Sequence, residues 1–240
     1  MSTTAVAAKP KRNHKQRIQP AAPVAGPVAV PGSSGAAVGR LALDALEWLL
    51  LFVFYAWFLS NLVGAFREDP ANWSCLVVII SESVTVLFLL FRRGSQSISA
   101  TPGEWLLATV ATVLPLLACA GGSSPPALVR LGEVVMLAGM TMLLYAKFTL
   151  GRRIGMVPAH RGLALSGAYR FVRHPIYACY IVCHVGVLLR YPTLANFCVY
   201  ALFPALQIPR LLIEEAHLRR DPEYTAYLTR VRYRLIPGVF

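Results

Sequence analysis

The chain has 240 residues, 56% of them hydrophobic and only 14% charged, with a formal net charge of +12. Soluble domains carry about a quarter charged residues, so this composition excludes an ordinary water-facing surface and points to lipid as the solvent. The basic residues lie between apolar runs and form no nucleic-acid motif; they fit membrane topology and anionic headgroups, and no nucleic-acid partner is expected.

Residues 1–38 hold Lys9, Lys11, Arg12, Lys15 and Arg17, then a stretch rich in Ala, Pro, Val and Gly. Pro20, Pro23, Pro27 and Pro31 break up the uninterrupted apolar core that a signal peptide needs. The segment is expected to be a disordered, basic, cytoplasmic tail, either solvated or touching anionic lipid.

Residues 39–148 contain four apolar runs, 41–63, 73–91, 105–120 and 128–148. A bilayer needs about 20 apolar residues per helix, and turn residues bound each run, so four transmembrane helices are predicted. Thr101-Pro102-Gly103-Glu104 predicts a capping box at the start of the third. Trp48, Trp57, Trp73 and Trp105 fall mostly near run ends and read as interface anchors. Glu82 and Glu133 are buried acids by this layout. Such residues are functional candidates, and pairing across helices explains them equally well.

Residues 149–240 change character. A polar loop, 149–175, leads into 176–189, which is short for a span, and 194–213, which carries Pro204 and Pro209. A helical hairpin is predicted, its second helix kinked at the prolines. With six crossings and a cytoplasmic tail, 20 Lys and Arg fall inside and 3 outside (Arg67, Arg130 and Arg190). That asymmetry obeys the positive-inside rule. The fold expected is all-α: a polytopic membrane bundle of about six segments, with both termini and the 149–175 loop cytoplasmic. After Asp221-Pro222, which suit an N-cap and first turn, Tyr224, Tyr227, Leu228 and Val231 recur at helical spacing. They predict an amphipathic helix, either closing over a cytoplasmic pocket or lying on the membrane. The five cysteines form no disulfide framework, and Cys179, Cys183 and His184 match no usual zinc spacing, so no metal is expected.

Two clusters carry chemistry. Gly167-Ala168-Tyr169-Arg170, then Arg173-His174-Pro175-Ile176-Tyr177, ends the polar loop and opens a helix. Pro175 suits the first turn, whose free N–H groups, with Arg173 and His174, make a seat for an anion. Read alone, the cluster also fits a basic membrane-interface loop. Arg210, Glu214 and His217 share one face of the last apolar helix, with Glu215 beside them. Alone, this fits a helix end emerging into water. The hairpin returns both clusters to one membrane face, where the first is cationic and the second anionic, as a zwitterionic, positively charged cofactor requires.

The order Gly-x-Tyr-Arg, Arg-His-Pro-x-Tyr and, some 40 residues on, Arg-x-x-x-Glu-Glu resembles the isoprenylcysteine carboxyl methyltransferases and their bacterial relatives, within the wider phospholipid methyltransferase-like superfamily. The likeness runs from about Gly151 to Phe240. It implies S-adenosyl-L-methionine as cofactor, held at Tyr169, Arg173, His174, Pro175, Ile176, Tyr177, Glu214 and Glu215. It implies that Arg210 is the catalytic residue and orients a substrate carboxylate. The acceptor implied is lipophilic and enters from the bilayer. Eukaryotic members carry a His-Thr-Leu-type segment before the Arg-His-Pro, whereas this chain reads Arg161-Gly162-Leu163-Ala164 there. A carboxylate acceptor needs no general base at neutral pH. A lipid amine would need one, for which Glu215 or His217 is the candidate. A lipid-amine N-methyltransferase and a non-catalytic membrane protein that kept the fold are the alternatives.

Overall fold

The structure is a computed structural model that describes residues 34–70, 73–118 and 121–240. The expectation for residues 1–33, and Cys119, lie outside these. Among the described residues seven α-helices follow one another: α1 (Ser34–Glu68), α2 (Trp73–Leu90), α3 (Pro102–Val113), α4 (Pro126–Leu150), α5 (Pro175–Arg190), α6 (Leu194–Leu218) and α7 (Pro222–Arg230). Two short strands, β1 (Ser97–Ile98) and β2 (Ala159–His160), pair antiparallel with Ser97 opposite His160.

The burial pattern is that of a protein dissolved in lipid. Leu49, Leu50, Val53, Trp57, Leu87 and Phe148 face outward, whereas Glu47, Ser81, Thr85, Lys147, Asn196, Gln207, Arg210 and Glu215 are buried. Four helices (residues 37–68, 73–90, 126–153 and 194–218) are long and apolar enough to cross a bilayer, and the Pro102–Leu117 and Pro175–Arg190 segments are shorter. The protein is an all-α membrane bundle.

Contacts between segments gather at the two ends of the bundle. At one face Arg40 donates to the Gln96 carbonyl, Arg93 N–H donates to the Arg152 carbonyl (2.7 Å), and Ser97 Oγ lies 2.8 Å from His217 Nε2. At the other, Arg190 pairs with Glu133 and Ser124 Oγ donates to the Leu189 carbonyl at 2.9 Å. α3 is followed directly by a 3-10 turn, Leu114–Leu117.

The tightest packing is between α4 and α5, where the helices are nearly in backbone contact. A Cβ on Gly186 would lie 2.7 Å from the Gly132 carbonyl oxygen, and one on Gly139 would lie 2.7 Å from Cys183 Sγ. Small residues at a helix crossing let dispersion act between backbones in lipid, where burial of apolar surface gives no drive.

Several local expectations are adjusted. α1 begins at Ser34, inside the segment read as tail. Thr101 and Pro102 do start α3, yet Thr101 makes no side-chain cap bond. Its own N–H is taken by Ser99 Oγ at 3.1 Å, so the reciprocal half of a capping box has no target. The hairpin's second helix is as read, α6 carrying Pro204 and Pro209 in its interior. The Asp221 cap is as read: its carboxylate accepts Glu223 N–H at 2.8 Å. Tyr224, Tyr227 and Val231 then bury against Leu163, Leu165, Leu218 and Leu228, which docks α7 onto the loop.

Candidate active site

Pro175 opens α5, and His174 is its N-cap in a non-helical conformation. The amides just before the helix are not free: Arg173 N–H donates to the Tyr233 carbonyl and His174 N–H to the Arg234 carbonyl, both at 2.9 Å. The C-terminal segment therefore fills part of the anion seat expected from the sequence. Pro175 has no N–H, and the next amides, of Ile176 and Tyr177, precede the bond from Ala178 N–H to the His174 carbonyl (3.1 Å) that starts the ladder.

From this end a stripe of rings runs inward along α5. His174 stacks on Tyr177 at 5.5 Å, Tyr177 on Tyr180 at 6.5 Å, Tyr180 on His184 at 6.4 Å, and His184 on Tyr200 of α6 at 4.2 Å. The spacing of three or four residues puts all four α5 rings on one face. That face lines a cavity of about 350 Å³.

The two adjacent glutamates of α6 divide their work because successive residues point about 100° apart on a helix. Glu214 turns to the cavity and accepts a hydrogen bond from Tyr177 Oη at 3.1 Å. Glu215 is 1% exposed and turns away from it. Its carboxylate meets Arg173 at 2.9 Å, Arg234 at 3.2 Å, His174 Nε2 at 3.3 Å and Arg219 at 3.5 Å. It clamps α6, the start of α5 and the C-terminal segment together. Neither Glu215 nor Pro175 lines the cavity, whereas Tyr169, Arg173, His174, Ile176, Tyr177, Arg210 and Glu214 do. His217, the other sequence candidate for a base, is engaged with Ser97 and does not line it.

Tyr169 sits in the 3-10 turn Gly167–Arg170. Gly167 has φ +56°, and a Cβ there would fall 2.6 Å from Thr149 Oγ1, so the turn needs glycine both for its backbone and for its fit on α4. The Tyr169 carbonyl accepts from Tyr227 Oη at 2.6 Å, which ties it to α7. Burial, then the nearby Glu214 charge, pushes the Tyr169 phenol well above its usual range, so it stays a neutral donor. Burial likewise lifts Tyr224, and lifts Tyr227 to about 12.

Arg210 does not pair with Glu214 one turn on. Nη2 donates to the Met156 carbonyl at 2.8 Å, Nη1 reaches Thr112 Oγ1 at 3.3 Å and Gln207 Oε1 at 3.4 Å, and the guanidinium lies 5.6 Å from the Tyr177 ring centre. Arg153, Arg161, Arg173 and Arg210, all in the cavity wall, each have a buried Nε without a hydrogen-bond partner. A cluster of unmatched donors in a water-poor space favours anionic groups on a ligand.

The loop that holds Arg210 is itself held from α1. Glu47, wholly buried, accepts the Met156 and Val157 N–H groups at 2.7 and 2.8 Å and pairs with Arg92 at 3.0 Å and with Arg161. Asp44 adds contacts to Arg92 at 3.2 Å and Arg161 at 3.0 Å. Burial pulls the Arg92 guanidinium down, and Glu47 beside it pushes back up. Sequence reasoning missed this network and also Lys147, Tyr55 and Tyr180. The signal was present: Asp44 and Glu47, three apart inside an apolar run, are costly in lipid unless partnered. Arg161 and Gly162, where the chain departs from the eukaryotic pattern, line the cavity.

Fold and site together define a membrane bundle whose inner cavity is lined by both charged and apolar side chains. Residues 125–224 match the family model of the phospholipid methyltransferases, which covers α4, the loop, α5, α6 and the start of α7. The resemblance read from the motifs therefore agrees with this match at the level of the wider superfamily, and over residues 125–224 the chain is similar to membrane methyltransferases. The matched segment includes the α5 ring stripe, Arg210 and Glu214 but not α1–α3. No curated protein matches the chain.

Proposed function

We propose that the protein transfers a methyl group from S-adenosylmethionine to the carboxylate of a lipophilic acceptor that enters from the bilayer. The observation that carries this reading is one continuous cavity. Its wall combines charged and polar groups, Tyr169, Arg173, His174, Tyr177 and Glu214, with apolar ones, Phe54, Phe58, Val78, Met140 and Phe203. Arg210 lies in its wall.

The residues present fit the cofactor. Phospholipid methyltransferase-family enzymes generally use S-adenosylmethionine. Glu214 would hold its ammonium, the unmatched Arg173 and Arg161 donors its carboxylate, and the His174–Tyr177 rings would face its cationic sulfur. When bound, the cofactor would supply an electrophilic methyl, and an ionised acceptor carboxylate would need no general base to receive it. The chain's own contribution is positioning and exclusion of water. Arg210, fixed by Met156, Thr112 and Gln207, orients the acceptor carboxylate. α7, docked through Tyr224 and Tyr227, helps close the cavity. The face bearing the loop and the C-terminal segment is taken as cytoplasmic, because the basic residues collect there.

The family description also supports a second reading, N-methylation of a phospholipid amine. Against it, Glu215 is held by three arginines and His174, and His217 by Ser97, so neither is placed to take a proton from an acceptor in the cavity. Full-length protein in detergent, given methyl-tritiated cofactor and either N-acetyl-S-farnesylcysteine or phosphatidylethanolamine, separates the readings. Alkali-labile label on the first substrate supports carboxyl transfer. Alkali-stable label on the second supports the amine reading, and no label on either supports a non-catalytic role.

A further inference from the structure

The cavity wall also holds an ion pair that the proposed transfer does not use. Lys147 Nζ, on a residue only 3% exposed, donates to Glu82 Oε1 at 2.9 Å, Ser81 Oγ at 2.9 Å and the Ser81 carbonyl at 3.2 Å. Those three bonds use all three ammonium protons. Glu82 is eight residues in from the end of α2, or about 12 Å along the helix, and its side chain is 12% exposed. Both side chains line the same cavity as Arg210 and Tyr177. Tyr55 and Tyr180, which also line it, have both Glu82 and Arg210 as charged neighbours.

The hydrogen bonding of the pair is lopsided. Lys147 is saturated. Glu82 Oε1 takes the Lys147 bond and a long contact from Ser81 Oγ (3.4 Å), and no described group donates to Oε2. The pair therefore offers the cavity one strong acceptor and no donor. It is also electrically neutral, so a ligand cation there would leave an uncompensated charge in the membrane interior. A neutral donor completes the carboxylate without that cost.

We propose that Glu82 Oε2, braced by Lys147, is an acceptor-recognition subsite for a neutral hydrogen-bond donor, a hydroxyl or an amide N–H, on the lipophilic body of the substrate and away from the methylated group. The proposal rests on the carboxylate reading above. It adds that the acceptor is not a plain hydrocarbon tail: it carries a polar mark that the second helix reads.

The test uses full-length protein in detergent and long-chain carboxylates that differ only in the chain: unsubstituted, with a hydroxyl placed near the carboxylate, at mid-chain or at the far end, with an amide N–H in place of the hydroxyl, or with an ammonium. Binding is read by calorimetry, so the answer does not depend on turnover, and methyl transfer to each compound is read in parallel. One neutral-donor compound should bind about tenfold tighter than the unsubstituted chain, and the ammonium compound should gain nothing. Which of the hydroxyl and amide compounds gains identifies the donor. In Glu82→Leu/Lys147→Met, where both partners become apolar and no charge is stranded, the preference should fall to about onefold, with cooperative thermal unfolding as the check on folding. Equal binding by wild-type protein of substituted and unsubstituted chains, binding of none, or a preference that survives in a folded double variant overturns the proposal. A neutral-donor preference without methyl transfer keeps the subsite and refutes the carboxylate reading. Methyl transfer without any preference does the reverse.

Discussion

Replacing Glu47 by leucine should be among the most damaging single changes outside the α4–α5 contact. The carboxylate is wholly buried and receives two backbone N–H groups, at 2.7 and 2.8 Å, and two guanidiniums. Its loss strands the Met156 and Val157 amides, each of which costs about 1–3 kcal/mol when buried without a partner. Removing one member of a buried ion pair costs about 3–5 kcal/mol. These figures overlap, and Asp44 remains within 3.2 Å of both arginines, so the expected loss is about 3–5 kcal/mol in all. Asp44→Ala is the matched control. Its side chain is 15% exposed, the one backbone amide it meets is Ser95 at 3.4 Å, and Glu47 still neutralises the two arginines it pairs with, so a smaller loss of about 1 kcal/mol is expected. Both are measured by reversible unfolding in mixed micelles with a denaturing detergent. Because the Met156 carbonyl positions Arg210, methyl transfer should fall with stability in Glu47→Leu and little in Asp44→Ala. Variants that unfold within 1 kcal/mol of each other would refute the view that Glu47 anchors the loop.

Other outcomes follow from the same geometry. Arg210→Lys keeps the charge but loses the planar fork, so methyl transfer should fall about 100-fold with cofactor binding retained; loss of cofactor binding instead would place Arg210 in the cofactor site. Gly186→Ala sets a Cβ 2.7 Å from both the Gly132 carbonyl oxygen and the Met136 nitrogen. Neither backbone atom can swing aside, so thermal unfolding should show a loss of about 1–3 kcal/mol, and an unchanged midpoint would contradict the tight crossing. Tyr227 titrates near 10 when unfolded and is lifted to about 12 by burial in the fold. The folded state thus favours the protonated phenol, a contribution intact below pH about 10 and lost as pH rises through the folded value. Stability should decline over that window in wild-type protein and less in Tyr227→Phe; identical profiles would rule the residue out as the source.

The sequence made the bundle legible because lipid imposes a simple rule: apolar runs of sufficient length cross, and turn residues end them. Runs at 73–91 and 128–148 lie close to α2 and α4, and the shortness of 176–189 was visible. The capping box failed because its signature ignores competitors, here Ser99 Oγ. Tyr169, His174, Tyr177, Arg210 and Glu214 were legible from their order along the chain, and the structure brings them to one cavity. The split between Glu214 and Glu215 was not, since it depends on which helix faces carry Arg173 and Arg234. Glu47 could be flagged as an acid in an apolar run, but what it and Lys147 bind could not be read. Their partners lie over 60 residues away, at Met156 and Ser81, and pairing at that range is a property of the packed bundle.

The most direct test of the central claim, a cofactor site between the start of α5 and Glu214, is calorimetric titration of S-adenosylmethionine into detergent-purified protein, beside Glu214→Gln and His174→Ala/Glu214→Ala. Saturable binding by wild-type protein, weakened in the single variant and lost in a folded double variant, is the predicted result. A folded wild-type protein that does not bind the cofactor, or variants that bind as well as wild type, would contradict it.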